Sequence, residues 1–231
     1  MNLPAAAPEA SCYSLRVNNW VCRDYLVERW PEVQEALVEH VLLTLASVAL
    51  GLAIAVPLAL VARRYPRLET LLVSGSTVLY TIPSLAMFSF LVPYTFLSPR
   101  TVVIGLALYS LTILVRGMLA GLRSVPADVV EAAVGAGYSR SRLLTRIELP
   151  LALPVLMAAL RVATVSTVAL TTVGSIVGYG GLGNLLLRGV DTQFKAQILT
   201  ASVLCVLLAV ALDLLLMAAQ RASTPWARAR S

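Results

Sequence analysis

Five long apolar stretches, parted by short segments rich in arginine, glycine and proline, constrain this chain more than any other feature. A helix needs about 20 mostly apolar residues to cross the hydrocarbon core of a bilayer. The stretches 37–62, 68–97, 101–122, 151–177 and 196–219 all reach that length. Of the 231 residues, 58% are hydrophobic and only 13% are charged. A soluble domain has about 45–50% and about 25%, so this chain has too little polar surface to cover itself in water. The expected fold class is all-α transmembrane, with five spans.

The interruptions carry their own information. Pro57 lies near the end of the first stretch and is expected to kink it. The second stretch is long for one span and short for two. Thr81-Ile82-Pro83-Ser84 divides it, which predicts one broken helix, because proline removes a backbone hydrogen bond and such breaks persist only under protein or against a cavity. Ser98-Pro99-Arg100 is a turn. Gly178-Tyr179-Gly180-Gly181-Leu182-Gly183 is a flexible joint, followed by a polar stretch from Arg188 to Gln193.

An odd number of spans puts the termini on opposite sides. With the C-terminus inside, Arg63, Arg64, Arg67, Arg123, Arg140, Arg142, Arg146, Arg221, Arg228 and Arg230 are cytoplasmic, against Arg16, Arg23, Arg29, Arg100, Arg188 and Lys195 outside. The positive-inside rule therefore favours N-out, C-in. The net charge of +6 belongs to topology and lipid headgroups, and nucleic acid is not an expected partner. The chain divides into a polar, extracytoplasmic N-terminal segment (1–36), a transmembrane domain (37–220) with its long loop at 123–150, and a basic cytoplasmic tail (221–231). No secretory signal is evident in residues 1–11. If the N-terminal segment faces outward, Cys12 and Cys22 can form a disulfide or stay free. Cys205 reads as a packing residue.

The loop at 123–150 is the least apolar internal stretch. Pro126-Ala127-Asp128 can open a helix, with Asp128 as its cap and Glu131 three residues on, the spacing of a capping box. Gly135 and Gly137 are placed to end it. Ser139 can cap a second short helix from Arg140 to Ile147, and Pro150 marks the start of the fourth span. This pattern describes a helix-turn-helix lying on the cytoplasmic surface, whether it meets lipid or a partner.

Glu131-Ala132-Ala133, three residues, Gly137, nine residues, then Ile147-Glu148-Leu149-Pro150 resembles the EAA motif of permease subunits in bacterial ABC importers. Thr81-Ile82-Pro83-Ser84-Leu85-Ala86, Ala152-Leu153-Pro154, Arg161, Gly180-Gly181-Leu182-Gly183, Arg188-Gly189-Val190 and Leu212-Asp213-Leu214-Leu215 are similar to the glycine betaine, carnitine and choline (osmoprotectant) branch. The resemblance covers roughly residues 37–220 and implies a five-span type I importer permease core with a cytoplasmic coupling helix-turn-helix. It implies a bacterial or archaeal inner membrane, a second permease chain (identical or related), an extracytoplasmic substrate-binding protein, and separate ATPase subunits that hold ATP and magnesium. The coupling residues it implies are Glu131, Ala132, Ala133, Gly137, Ile147, Leu149 and Pro150. Tyr80, Pro83, Ser84, Gly178 and Gly180 are candidates for the translocation path, with helix packing and turn formation as their plain alternative. Methionine or ergothioneine permeases are the competing substrate classes, and a secondary transporter is a more distant one.

No catalytic or metal site is expected in the chain itself. It has one histidine, His40, which reads as an interfacial residue, no His-Glu-x-x-His, no Cys-x-x-Cys and no phosphate-binding Gly-x-x-x-x-Gly-Lys-Ser/Thr loop. Arg161 and Asp213 fall inside spans, where a charge is costly. The sequence allows Arg161 to snorkel or bridge to another subunit, and puts Asp213 near the cytoplasmic end.

Overall fold

A computed structural model describes Cys12 and residues 17–226. In chain order the helices are α1 (Arg23–Glu28), α2 (Trp30–Arg64), α3 (Pro66–Thr81), α4 (Ser84–Thr95), α5 (Pro99–Arg123), α6 (Ala127–Gly135) and α7 (Arg140–Leu143). A π-helical turn (Leu144–Glu148) leads into α8 (Leu149–Thr171), a 3-10 stretch (Thr172–Val177), α9 (Leu182–Asp191) and α10 (Lys195–Ser223). Four helical runs are long and apolar enough to cross a membrane, and the bent pair α3–α4 supplies the fifth span.

At 1.5 Å per residue, the 35 residues of α2 extend about 50 Å, well beyond a hydrocarbon core of about 30 Å. Pro57 lies within α2, which continues unbroken to Arg64. α5 is the most enclosed span and α10 the least. Ala55, Ala62, Leu111, Leu114, Val115, Leu119 and Ala163 form a shared core of α2, α5 and α8. Small residues let these helices approach closely, as in other membrane bundles: Gly51 faces Ser110, Gly117 faces Ala159, and Gly121 lies against Leu156.

The break in the second span turns the chain by 97°. Ile82, which precedes Pro83, takes the extended conformation that a following proline favours. Its carbonyl accepts a hydrogen bond from the Tyr109 hydroxyl, and the Thr112 hydroxyl donates to the Ser76 carbonyl. α5 thus satisfies backbone groups that a bilayer could not.

Several local expectations are revised. Asp128 is not the cap of α6: Pro126 stands at that position, and Asp128 lies in the first turn, where its charge favours the helix N-terminus. Ser139 precedes α7 but makes no capping hydrogen bond. The segment from Arg140 is not a separate short helix, because it continues through the π turn into the fourth span. Pro150 explains the detour, since its ring would press on the Arg146 carbonyl in a regular helix. The polar stretch after the glycine joint begins inside α9, which ends at Asp191.

Candidate functional site: the 123–150 loop and the helix break

α6 is anchored by a small apolar cluster in which Val130 and Leu144 pack on Leu122, Val125 and Ala152. Its C-terminus closes with two bonds: the Tyr138 amide donates to the Ala133 carbonyl at 3.1 Å and the Gly137 amide to that of Val134 at 3.0 Å. This is a Schellman closure, and it needs the left-handed residue that Gly137 supplies at φ +81°. The two alanines of the motif point apart. Ala133 is buried, whereas Asp128, Glu131, Ala132, Gly135 and Ala136 form the exposed face.

A groove of about 550 Å³ separates α6 from the end of α2, with Leu60, Arg64, Val130 and Leu143 among its walls. At its base the Arg63 guanidinium makes a two-pronged ion pair with Glu148, one arm at 2.6 Å. Glu148 is 2% exposed. A buried carboxylate left unpaired is costly, so the pair fixes the π turn to α2. Ile147 is half-buried and Leu149 exposed at the same junction. A second ion pair, Arg123 to Glu69, joins the adjacent ends of α5 and α3.

The path candidates separate into two groups. Tyr80 is 48% exposed and meets Tyr109 edge-to-face at 6.0 Å. Both line a narrow cleft with Ser110, Ser166 and Thr167. Pro83 and Ser84 stand at the helix break just beyond Tyr80. Gly178 and Gly180 lie elsewhere, in the turn between the 3-10 stretch and α9. There the Gly180 amide donates to Asn184 Oδ1 at 3.1 Å, and its carbonyl meets His40.

His40 is not interfacial. It is fully buried, with Nε2 3.0 Å from the Val168 carbonyl and Nδ1 3.2 Å from that of Gly180. Gly181, at φ +54°, leaves no room for a side chain, because a Cβ there would lie 2.6 Å from the His40 amide. Arg161 neither snorkels nor reaches outward: Nε and Nη2 bond the two Asp213 carboxylate oxygens at 2.8 and 2.7 Å, joining α8 to α10.

At the end away from the 123–150 loop, Cys12 and Cys22 are joined by a disulfide with Cα atoms 5.6 Å apart. Cys22, Tyr25, Val33 and Ala36 share a core with Leu182, Leu185, Ala196 and Ala201. Residues 17–36 are therefore packed onto the α9–α10 corner. Burial, with Glu32 adding to it, pushes the Tyr25 phenol up to about 12.

Comparison with known proteins decides the family. Residues 47–229 match the model of the binding-protein-dependent transport system inner membrane component. The chain belongs to that family. Relatives of this permease include the glycine betaine/carnitine/choline transport system permease protein OpuCD of Bacillus subtilis, 34% identical over 84% of this chain and 85% of the relative. The choline transport system permease OpuBD of the same organism is 32% identical over 90% and 92%. The osmoprotectant import permease OsmW of Salmonella typhimurium is 32% identical over 87% and 96%. The fold matches that of the MetNI methionine ABC transporter in inward-facing conformations, with a TM-score of 0.75 at 20% identity over 88% of this chain and all of that one. The permease is thus a five-span type I importer core and an inner membrane component.

Within the permease, sequence reasoning missed the Arg63–Glu148 pair, the His40 bridge and the role of Tyr109. Arg63 was legible only as a topological charge. Glu148 stands inside the motif, between Ile147 and Leu149, and a carboxylate in that apolar setting signals a buried partner.

Proposed function

We propose that this chain forms the translocation path of an ATP-driven importer for a quaternary-amine osmoprotectant such as glycine betaine, choline or carnitine. The names of its relatives support that substrate class. The chain works with a second permease chain and receives cargo from an extracytoplasmic binding protein. It is non-catalytic: ATP and magnesium are held by separate ATPase subunits. The exposed face of α6 carries the docking assignment. Glu131 and Ala132 present a thin surface that fits a groove on the ATPase, Gly137 holds the turn, and Arg63–Glu148 passes movement of the loop to the spans. The N-out, C-in orientation is supported by the arginine distribution and by a disulfide, which needs an oxidising compartment.

The test is uptake by the permease reconstituted with its ATPase and binding protein. Labelled glycine betaine, choline and carnitine are expected to enter only with ATP, and methionine is not. Ala132→Trp, on the exposed face, is expected to leave the protein in the membrane and the ATPase active while uptake falls. Normal uptake at matched expression would sink the docking assignment. Uptake of methionine alone would sink the substrate class.

A further inference from the structure

The segment ahead of the first span carries an apolar surface that its composition hides. Trp20 is 54% exposed, Val21 80% and Leu26 39%. These residues lie ahead of residue 47, where the match to the family model begins. They are held in place from below. The Asn18 side chain donates to the Gln193 carbonyl at 2.9 Å and accepts from the Lys195 amide at 3.1 Å. Tyr25 packs edge-to-face on Phe194 at 5.0 Å. The apolar patch is thus presented on a fixed base.

Its neighbours indicate what covers it. Trp20, Val21 and Leu26 share a shallow cleft of about 250 Å³ with Leu199, Val203 and Leu204 at the start of α10. From there the outward face of α10 continues as exposed Val206, Leu207, Val210 and Leu214. The patch therefore prolongs an apolar span face. The Lys195 ammonium lies 5.9 Å from the centre of the Trp20 ring, and Arg23 is exposed beside it. An indole with a cation next to it, at the end of a span, matches the headgroup level of a bilayer. There the ring sits among glycerol and upper acyl groups and the ammonium meets phosphate.

We propose that residues 17–26 form an interfacial lipid anchor. Trp20, Val21 and Leu26 insert into the leaflet opposite the coupling loop and extend the lipid-facing surface of α10. In water the same apolar surface would stay hydrated, at a cost that grows with its area. The anchor depends on membrane residence and not on which solute is carried.

The chain has three tryptophans, so Trp30→Phe with Trp226→Phe leaves Trp20 as the only indole. The full-length permease carrying both changes is placed in nanodiscs of phosphatidylcholine with or without bromine on the acyl chains. Trp20 is expected to emit at short wavelength, to lose most of its intensity in the brominated lipid, and to resist aqueous acrylamide. Long-wavelength emission quenched by acrylamide would overturn the anchor by putting the patch in water. Short-wavelength emission indifferent to bromine would overturn it by showing a protein cover, either a second copy or a binding protein. If the double variant does not fold, Trp20→Phe in the otherwise native chain gives the same reading by difference: the bromine-sensitive emission should fall below that of the native chain, and an unchanged bromine-sensitive emission would overturn the anchor.

Discussion

Single residues in this permease matter most where they take up backbone groups or charges that the bilayer cannot. Arg63 and Glu148 are unequal partners. The carboxylate is buried, while the guanidinium side chain keeps 36% of its surface exposed. Removing the cation strands a buried charge, so Arg63→Met is expected to cost about 3–5 kcal/mol in unfolding free energy. Glu148→Leu, which frees an arginine already near water, should cost clearly less, and the double change should recover most of the loss. Thermal unfolding of the three purified variants checks the order. An equal cost for both single changes would refute the asymmetry. His40→Leu nearly keeps the volume but removes the bridge to Val168 and Gly180, and should cost about 1–3 kcal/mol by the same measurement.

At the scale of elements, legibility followed the reach of the interactions. The glycine at 137 could be read because a Schellman closure is local and requires a left-handed residue. The break at Ile82-Pro83 was readable for the same reason. The cap at Asp128 was misread by two positions, since Pro126 opens the helix and the acidic residue serves its first turn instead. α9 was missed because glycines at 181, 183 and 189 disguise it. Each admits a close neighbour: His40, the Thr172 backbone and Ile198. Gly183→Ala should therefore place a methyl into the Thr172 backbone and lower both melting temperature and membrane yield. Gly135→Ala, where nothing lies near the added carbon, should leave both unchanged. The π turn was invisible because it follows from the conflict between a continuous helix and Pro150, not from any residue preference.

For the whole molecule, five spans could be counted from hydropathy alone, because a bilayer requires length and apolarity before anything else. Lateral pairing could not be read. Arg161 and Asp213 stand 52 residues apart, and nothing in the sequence says that two intramembrane charges face one another. Together they tie the least enclosed span, α10, to α8. Arg161→Leu or Asp213→Leu alone should loosen α10 and reduce assembled protein. The exchange Arg161→Asp with Asp213→Arg should restore much of it, as read by limited proteolysis in membranes. An exchange that restores nothing would assign α10 to other contacts.

The Cys12–Cys22 bond also bears on the order of events during synthesis. In the proposed N-out orientation, the segment ahead of the first span must cross before its cysteines meet an oxidant. The bond then records a completed passage. A chain inserted upside down would keep both thiols reduced and reactive to a membrane-permeant maleimide. A correctly inserted chain would expose them only after reduction from outside. With Cys205, the free cysteine of α10, replaced by alanine, the fraction labelled without reductant measures insertion errors, and flipping the topology by adding arginines to the N-terminal segment should raise it.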